Sequence, residues 1–134
     1  MGNSRHVVMV GDRRVTVDGK DVFDPRTKLA TCTFPTARCL MAFTGLAQAG
    51  SFRTDEFVLQ ALWQEAGPDY SIARALEGVR ERLTTRFRTL GARRPEDKRL
   101  SLFFFGYDYG AARPLLRGSL ISGGPDVRLY QWRN

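Results

Sequence analysis

The sequence predicts an α+β fold in which short strands come first, two helices occupy the middle and strands return at the end. Three observations lead there. Ile72, Leu76, Val79, Leu83, Phe87 and Leu90 recur every three or four residues and Gly91 follows, as in a helix with one buried face. Thr54-Asp55-Glu56 supplies a hydroxyl cap and two carboxylates for the positive end of an earlier helix, which Gly67-Pro68 stops. Leu100-Ser-Leu-Phe-Phe-Phe105 is apolar without alternation, the pattern of a strand covered on both faces.

In chain order, residues 6–10, 13–17 and 28–34 read as short strands, with Asp18-Gly19 as a hairpin turn that needs positive φ. Arg38 to Phe43 is another strand. Helices are expected near 54–66 and 71–90. The first has an apolar face of Phe57, Val58, Ala61 and Leu62; the second leaves Arg74, Glu77, Arg80, Glu81 and Arg88 to solvent. A polar connector at 93–98 precedes strands near 100–107, 115–121 and 127–132, with a turn at Gly110. The helices should lie side by side on a sheet containing the Val7 to Val10 and Leu40 to Phe43 strands. A sheet open to water on one face is disfavoured, because these strands are apolar on both sides.

A chain of 134 residues forms one domain, 1–134, and buries about two-thirds of its unfolded surface. No stretch is long and apolar enough to span a membrane, and Met1 to Arg5 leads into no signal-type apolar region, so the expected location is cytoplasmic. Cys32 and Cys39 flank Thr33 to Arg38, and a tight turn at Pro35-Thr36 would set them opposite each other on paired strands. A disulfide is conceivable there, but without a secretion signal two reduced core residues are the better reading. With His6 as the one histidine, they cannot assemble a four-ligand zinc site, and no metal or cofactor is expected.

The net charge of +7 rests on arginine, with eight basic residues between Arg80 and Arg99 against Glu81, Glu96 and Asp97. Such a band attracts phosphates or an acidic partner. The stronger reading is structural: arginine stems cover apolar surface beside a helix, and no nucleic-acid-binding motif accompanies them. Nucleic acid is therefore the weaker of the partner classes.

The stretch His6-Val-Val-Met-Val-Gly-Asp12-Arg-Arg14, followed by Lys28 and then Leu40-Met-Ala-Phe-Thr44-Gly45, resembles the opening of a proteasome β-type subunit. The resemblance covers about His6 to Gly124, and the interval from Asp12 to Lys28 matches that between the family's aspartate and lysine. Extra residues around Thr33 to Thr36 depart from the family pattern and bear on how Gly45 is oriented. The resemblance implies an N-terminal-nucleophile (Ntn) hydrolase-like α/β/β/α sandwich, incomplete here, with two antiparallel sheets and a layer of two helices. It implies threonine-type peptide or amide hydrolysis as the family's chemistry, with Asp12 and Lys28 paired beside the nucleophile and Gly45 offering a backbone N–H to the oxyanion. Arg14 would brace neighbouring loops.

Aligned on Asp12, the nucleophile falls before Met1, while Ser4 stands too near Asp12 to replace it. Asp12, Lys28 and Gly45 are then vestigial or supporting. The expected role is a non-catalytic assembly or interaction subunit that forms homo-oligomers over an uncovered sheet face. The alternatives are an active Ntn amidohydrolase or peptidase acting on peptide or protein substrates, if the natural N-terminus lies upstream, and a basic nucleic-acid-binding domain. Ser119 and Ser122-Gly123 lie near a serine-glycine segment of the family, with too short a match to carry weight.

Overall fold

The computed structural model describes residues 7–11, 14–17, 20–23, 28–65, 71–90, 99–109, 115–123 and 127–133. The fold is α+β. Strands β1 (Arg14–Val17) and β2 (Lys20–Phe23) form an antiparallel pair, with Val17 opposite Lys20, so residues 18 and 19 connect them. That connection, the expected Asp18-Gly19 turn, lies outside the described residues, as do Gly67-Pro68, Gly91 and Gly110.

The main element is a five-stranded antiparallel sheet ordered β3-β4-β7-β8-β9. It contains β3 (Leu29–Phe34), β4 (Ala37–Gly45), β7 (Leu100–Asp108), β8 (Leu115–Gly123) and β9 (Val127–Arg133). Between β4 and β7 come a short pair, β5 (Gln48–Ala49) and β6 (Phe52–Arg53), and the helices α1 (Thr54–Gln64) and α2 (Ile72–Thr89). The two helices contact each other, and α2 also contacts β9.

Both helices bury the face the periodicity selects. Ile72, Leu76, Val79, Leu83 and Phe87 of α2 are buried, as are Val58, Ala61 and Leu62 of α1. They pack on one face of the sheet, where Cys39, Met41, Phe43, Leu102, Phe104 and Ile121 are also buried. Phe52 joins this core, its ring edge-on to Phe87 at 5.9 Å. Ser71 caps α2, its Oγ accepting from the Arg74 N–H at 3.3 Å.

Three expectations need correction. Val7 to Val10 form no strand of the sheet: only Val7 makes an isolated bridge, and Val8 and Val10 are 59% and 88% exposed. A short apolar run can bridge at one residue without forming a ladder. Thr54 is not a hydroxyl cap; the cap position is Arg53, and Thr54 is the first helical residue. Finally, the sheet is not covered on both faces by this chain's described elements. Along β7, Leu100, Leu102 and Phe104 are buried, while the intervening Ser101, Phe103 and Phe105 are exposed or half-buried. The helices form a single layer, and successive strand residues point to opposite faces, so half of this apolar run lies away from them.

Candidate functional site

At one end of the sheet β3 begins and β4 finishes, and two of the three expected site residues, Lys28 and Gly45, stand at that end. The Phe43 N–H donates to the Lys28 carbonyl at 3.2 Å, which extends the β3–β4 ladder by one pair and brings Lys28 beside the Phe43-Thr44-Gly45 end of β4. Gly45 lies two residues beyond Phe43, so Lys28 and Gly45 stand at the same end of the sheet.

Gly45 itself is fixed by conformation. Its φ is +94°, and a Cβ added there would lie 2.2 Å from the Arg99 carbonyl oxygen. Beside it, the Leu46 N–H donates to that same oxygen at 2.7 Å. The corner is secured from the helix side by Thr54, the one buried polar side chain among the described residues. Thr54 Oγ1 donates to the Leu46 carbonyl at 2.5 Å, and the Thr54 N–H donates to the Ala47 carbonyl at 3.0 Å. This tie was not legible beforehand, since a threonine at a helix start reads equally well as a cap.

Asp12 lies outside the described residues, so its pairing with Lys28 has no geometry to report; His6 and Ser4 lie outside them too. Arg14 stands in β1 opposite Phe23. Ser122 Oγ lies 2.9 Å from that of Ser101, its neighbour in the ladder, and Ser101 in turn stands opposite Thr44. Ser119 stands in β8 opposite Phe104.

Just after the corner, Arg53 holds Asp55 at 2.9 Å and Glu56 at 2.8 Å. Partial burial works against the charge of Asp55, but the Arg53 guanidinium and the Glu56 N–H outweigh it and hold the carboxyl below its ordinary value. Among the described residues of the basic band, three are engaged with the fold. Arg80 pairs with Glu77 and Glu81, Arg82 with Glu65 and Gln64, and the Arg86 guanidinium lies 5.9 Å from the centre of the Phe52 ring. Hydrogen bonding to Glu77 raises the Arg80 pKa above its usual value.

A groove of about 590 Å³ runs between the two helices, lined by Phe57, Gln60, Gln64, Glu65, Arg82 and Arg86 among others. None of Lys28, Thr44 and Gly45 borders it. Among the described residues no cluster of three or more His, Cys, Asp or Glu could hold a metal ion, and no helix is long and apolar enough to cross a membrane.

The face of the sheet opposite the helices presents a different surface. Its central row, read across the register, is Leu29, Ala42, Phe103, Leu120 and Tyr130, and the next row includes Leu40 and Phe105. Phe103 is 38% and Tyr130 49% exposed, and the rest of those named are half-buried. Gly11 lies against Leu29 at the β3 edge of this face. The charged residues Arg38 and Arg128 stand at its ends, and no acidic side chain shares the two rows. A scan of protein-family models, a search of curated proteins and a search of solved structures each find no match to this chain.

Proposed function

We propose that this chain is a non-catalytic interaction or assembly subunit with a proteasome-like fold, and that it associates with further copies of itself through the open face of the five-stranded sheet. The observation that carries the reading is the row Ala42, Phe103, Leu120 and Tyr130, an apolar surface without charge at its centre. Two such faces stacked in a symmetric pair would bring the two sheets together as the inner layers of an α/β/β/α sandwich.

The dimensions support a moderate interface. Five strands of six to nine residues, about 4.8 Å apart and rising about 3.3 Å per residue, give a face of roughly 24 Å by 26 Å. That is on the order of 600 Å² per copy before side-chain relief is counted, near the lower end of specific interfaces, which bury about 1,200 Å² or more in total. The Lys28–Gly45 corner fits the reading as inherited architecture. Gly45 has a sufficient conformational reason to be glycine, so its presence does not demand an oxyanion to bind.

Sedimentation velocity over a concentration series up to tens of micromolar, on the order expected for micromolar affinity, tests this. Dimers or larger particles that persist or increase as salt screens the +7 charge support apolar self-association. A monomer throughout contradicts it. Nucleic-acid binding that weakens steeply with salt would favour the basic-domain alternative, and peptide hydrolysis lost on Lys28→Ala would favour the peptidase.

A further inference from the structure

We propose that Cys32 and Cys39 form a reversible cross-strand disulfide, which makes the β3–β4 pair an oxidant-responsive modification site. The two residues are directly opposite in the β3–β4 register, both are buried, and both are free thiols in this structure. Their spacing follows from the ladder. The bond from the Phe43 N–H to the Lys28 carbonyl marks 28 and 43 as a hydrogen-bonded pair. Such pairs alternate along an antiparallel ladder, so 30 with 41 and 32 with 39 are also of that kind. Their Cα atoms are then about 5.5 Å apart, inside the range a disulfide spans.

The same geometry makes the bond labile. Cβ atoms at a hydrogen-bonded pair stand toward the wide end of about 4.5–5.5 Å, whereas a relaxed disulfide holds them near 3.8 Å. Closing it draws the strands together, and a strained disulfide is more easily reduced. Two features help it close. Strand β3 is the end strand of the five-stranded sheet and is paired within that sheet to β4 alone. On the other side Cys39 faces Gly106, where an added Cβ would lie 2.7 Å from the cysteine Cβ, so no β7 side chain crowds it. The thiols are also chemically unequal. Interaction with Cys39 lowers the Cys32 pKa against the opposing effect of burial, while interaction with Cys32 together with burial raises that of Cys39.

With a hydroperoxide as oxidant, the Cys32 thiolate attacks one peroxide oxygen and the O–O bond breaks. The other oxygen leaves, with a proton, as an alcohol or water. The Cys39 sulfur then attacks the resulting sulfenic sulfur and displaces hydroxide, which leaves as water with the Cys39 proton. In total two thiols are oxidised to one disulfide, and one peroxide is reduced.

Intact-mass measurement of the native protein after brief exposure to hydrogen peroxide is the test. The expected result is a loss of about two mass units, mapped to a peptide containing Cys32 and Cys39 and reversed by glutathione, with the circular dichroism spectrum native throughout. Cys32→Ser and Cys39→Ser should each abolish the loss. The proposal is overturned by two free thiols remaining after peroxide, by addition of oxygen in place of the mass loss, by cross-linking between chains, or by a bond that forms only as the native spectrum disappears.

Discussion

The two faces of the five-stranded sheet are made from alternate residues of the same strands, yet they live in different environments. On one, Met41, Leu102, Phe104 and Ile121 are 2% exposed or less beneath the helices. On the other, Phe103 and Tyr130 retain more than a third of their surface. Phe103 and Phe104 are neighbours of the same chemical type, so the contrast between them is one of position alone. Hydrophobic character in a strand does not determine what covers it. It fixes that something apolar suits each side, and here the helices supply that for one side only.

Substitutions that separate the faces should show the largest effect. Phe104→Ala opens a cavity under the helices and should cost about 3–5 kcal/mol of unfolding free energy. Phe103→Ala should cost about 1 kcal/mol or less when the protein is held monomeric by dilution. Urea denaturation of both variants checks this, and equal losses would erase the distinction between the faces. Gly45→Ala comes next. It forces a non-glycine residue to φ +94° against the Arg99 carbonyl, and should cost on the order of 1–3 kcal/mol or more. A neutral result would show that the corner relaxes and that Gly45 is kept for another reason.

Thr54→Val keeps the shape but leaves the Leu46 carbonyl without its hydroxyl donor, a loss of about 1–3 kcal/mol by the same assay. The smallest effect concerns acid. Because the folded-state pKa of Asp55 lies below its ordinary 3.8, its contribution is complete above that value and disappears as pH falls through the folded pKa. Asp55→Asn should flatten the loss of stability below about pH 4, by less than about 1 kcal/mol. An unchanged acid limb would mean that the Arg53–Asp55 pair contributes nothing.

The long periodic helix was legible because six apolar positions agree on one face, and α2 buries five of them. The β3–β4 hairpin was legible from Pro35-Thr36, and the cysteines fall opposite each other as that turn requires. Val7 to Val10 was not, because a short apolar run does not name its partner. The open face depends on register: Phe103 meets Leu120, and Leu120 meets Tyr130, only once three strands from distant parts of the chain are aligned. Alternate reading of residues 100–108 would have flagged Phe103 and Phe105 as a second set, but not that it lies outside the helix-covered core. Of the candidate site, Lys28 and Gly45 were named together only through the family resemblance, whereas the Thr54 tie could not be told from a cap.

The central claim, that self-association uses the open sheet face, is tested most directly by comparing Phe103→Glu with Trp63→Glu in sedimentation equilibrium. Trp63 is the most exposed of the large aromatic side chains described, at 82%, and it belongs to α1 and not to the sheet. The account predicts that the wild type and Trp63→Glu associate alike. Phe103→Glu, which places two carboxylates against each other at the centre of the interface, should weaken association at least about tenfold, roughly 1.4 kcal/mol. Association unchanged in Phe103→Glu, or lost instead in Trp63→Glu, would contradict it.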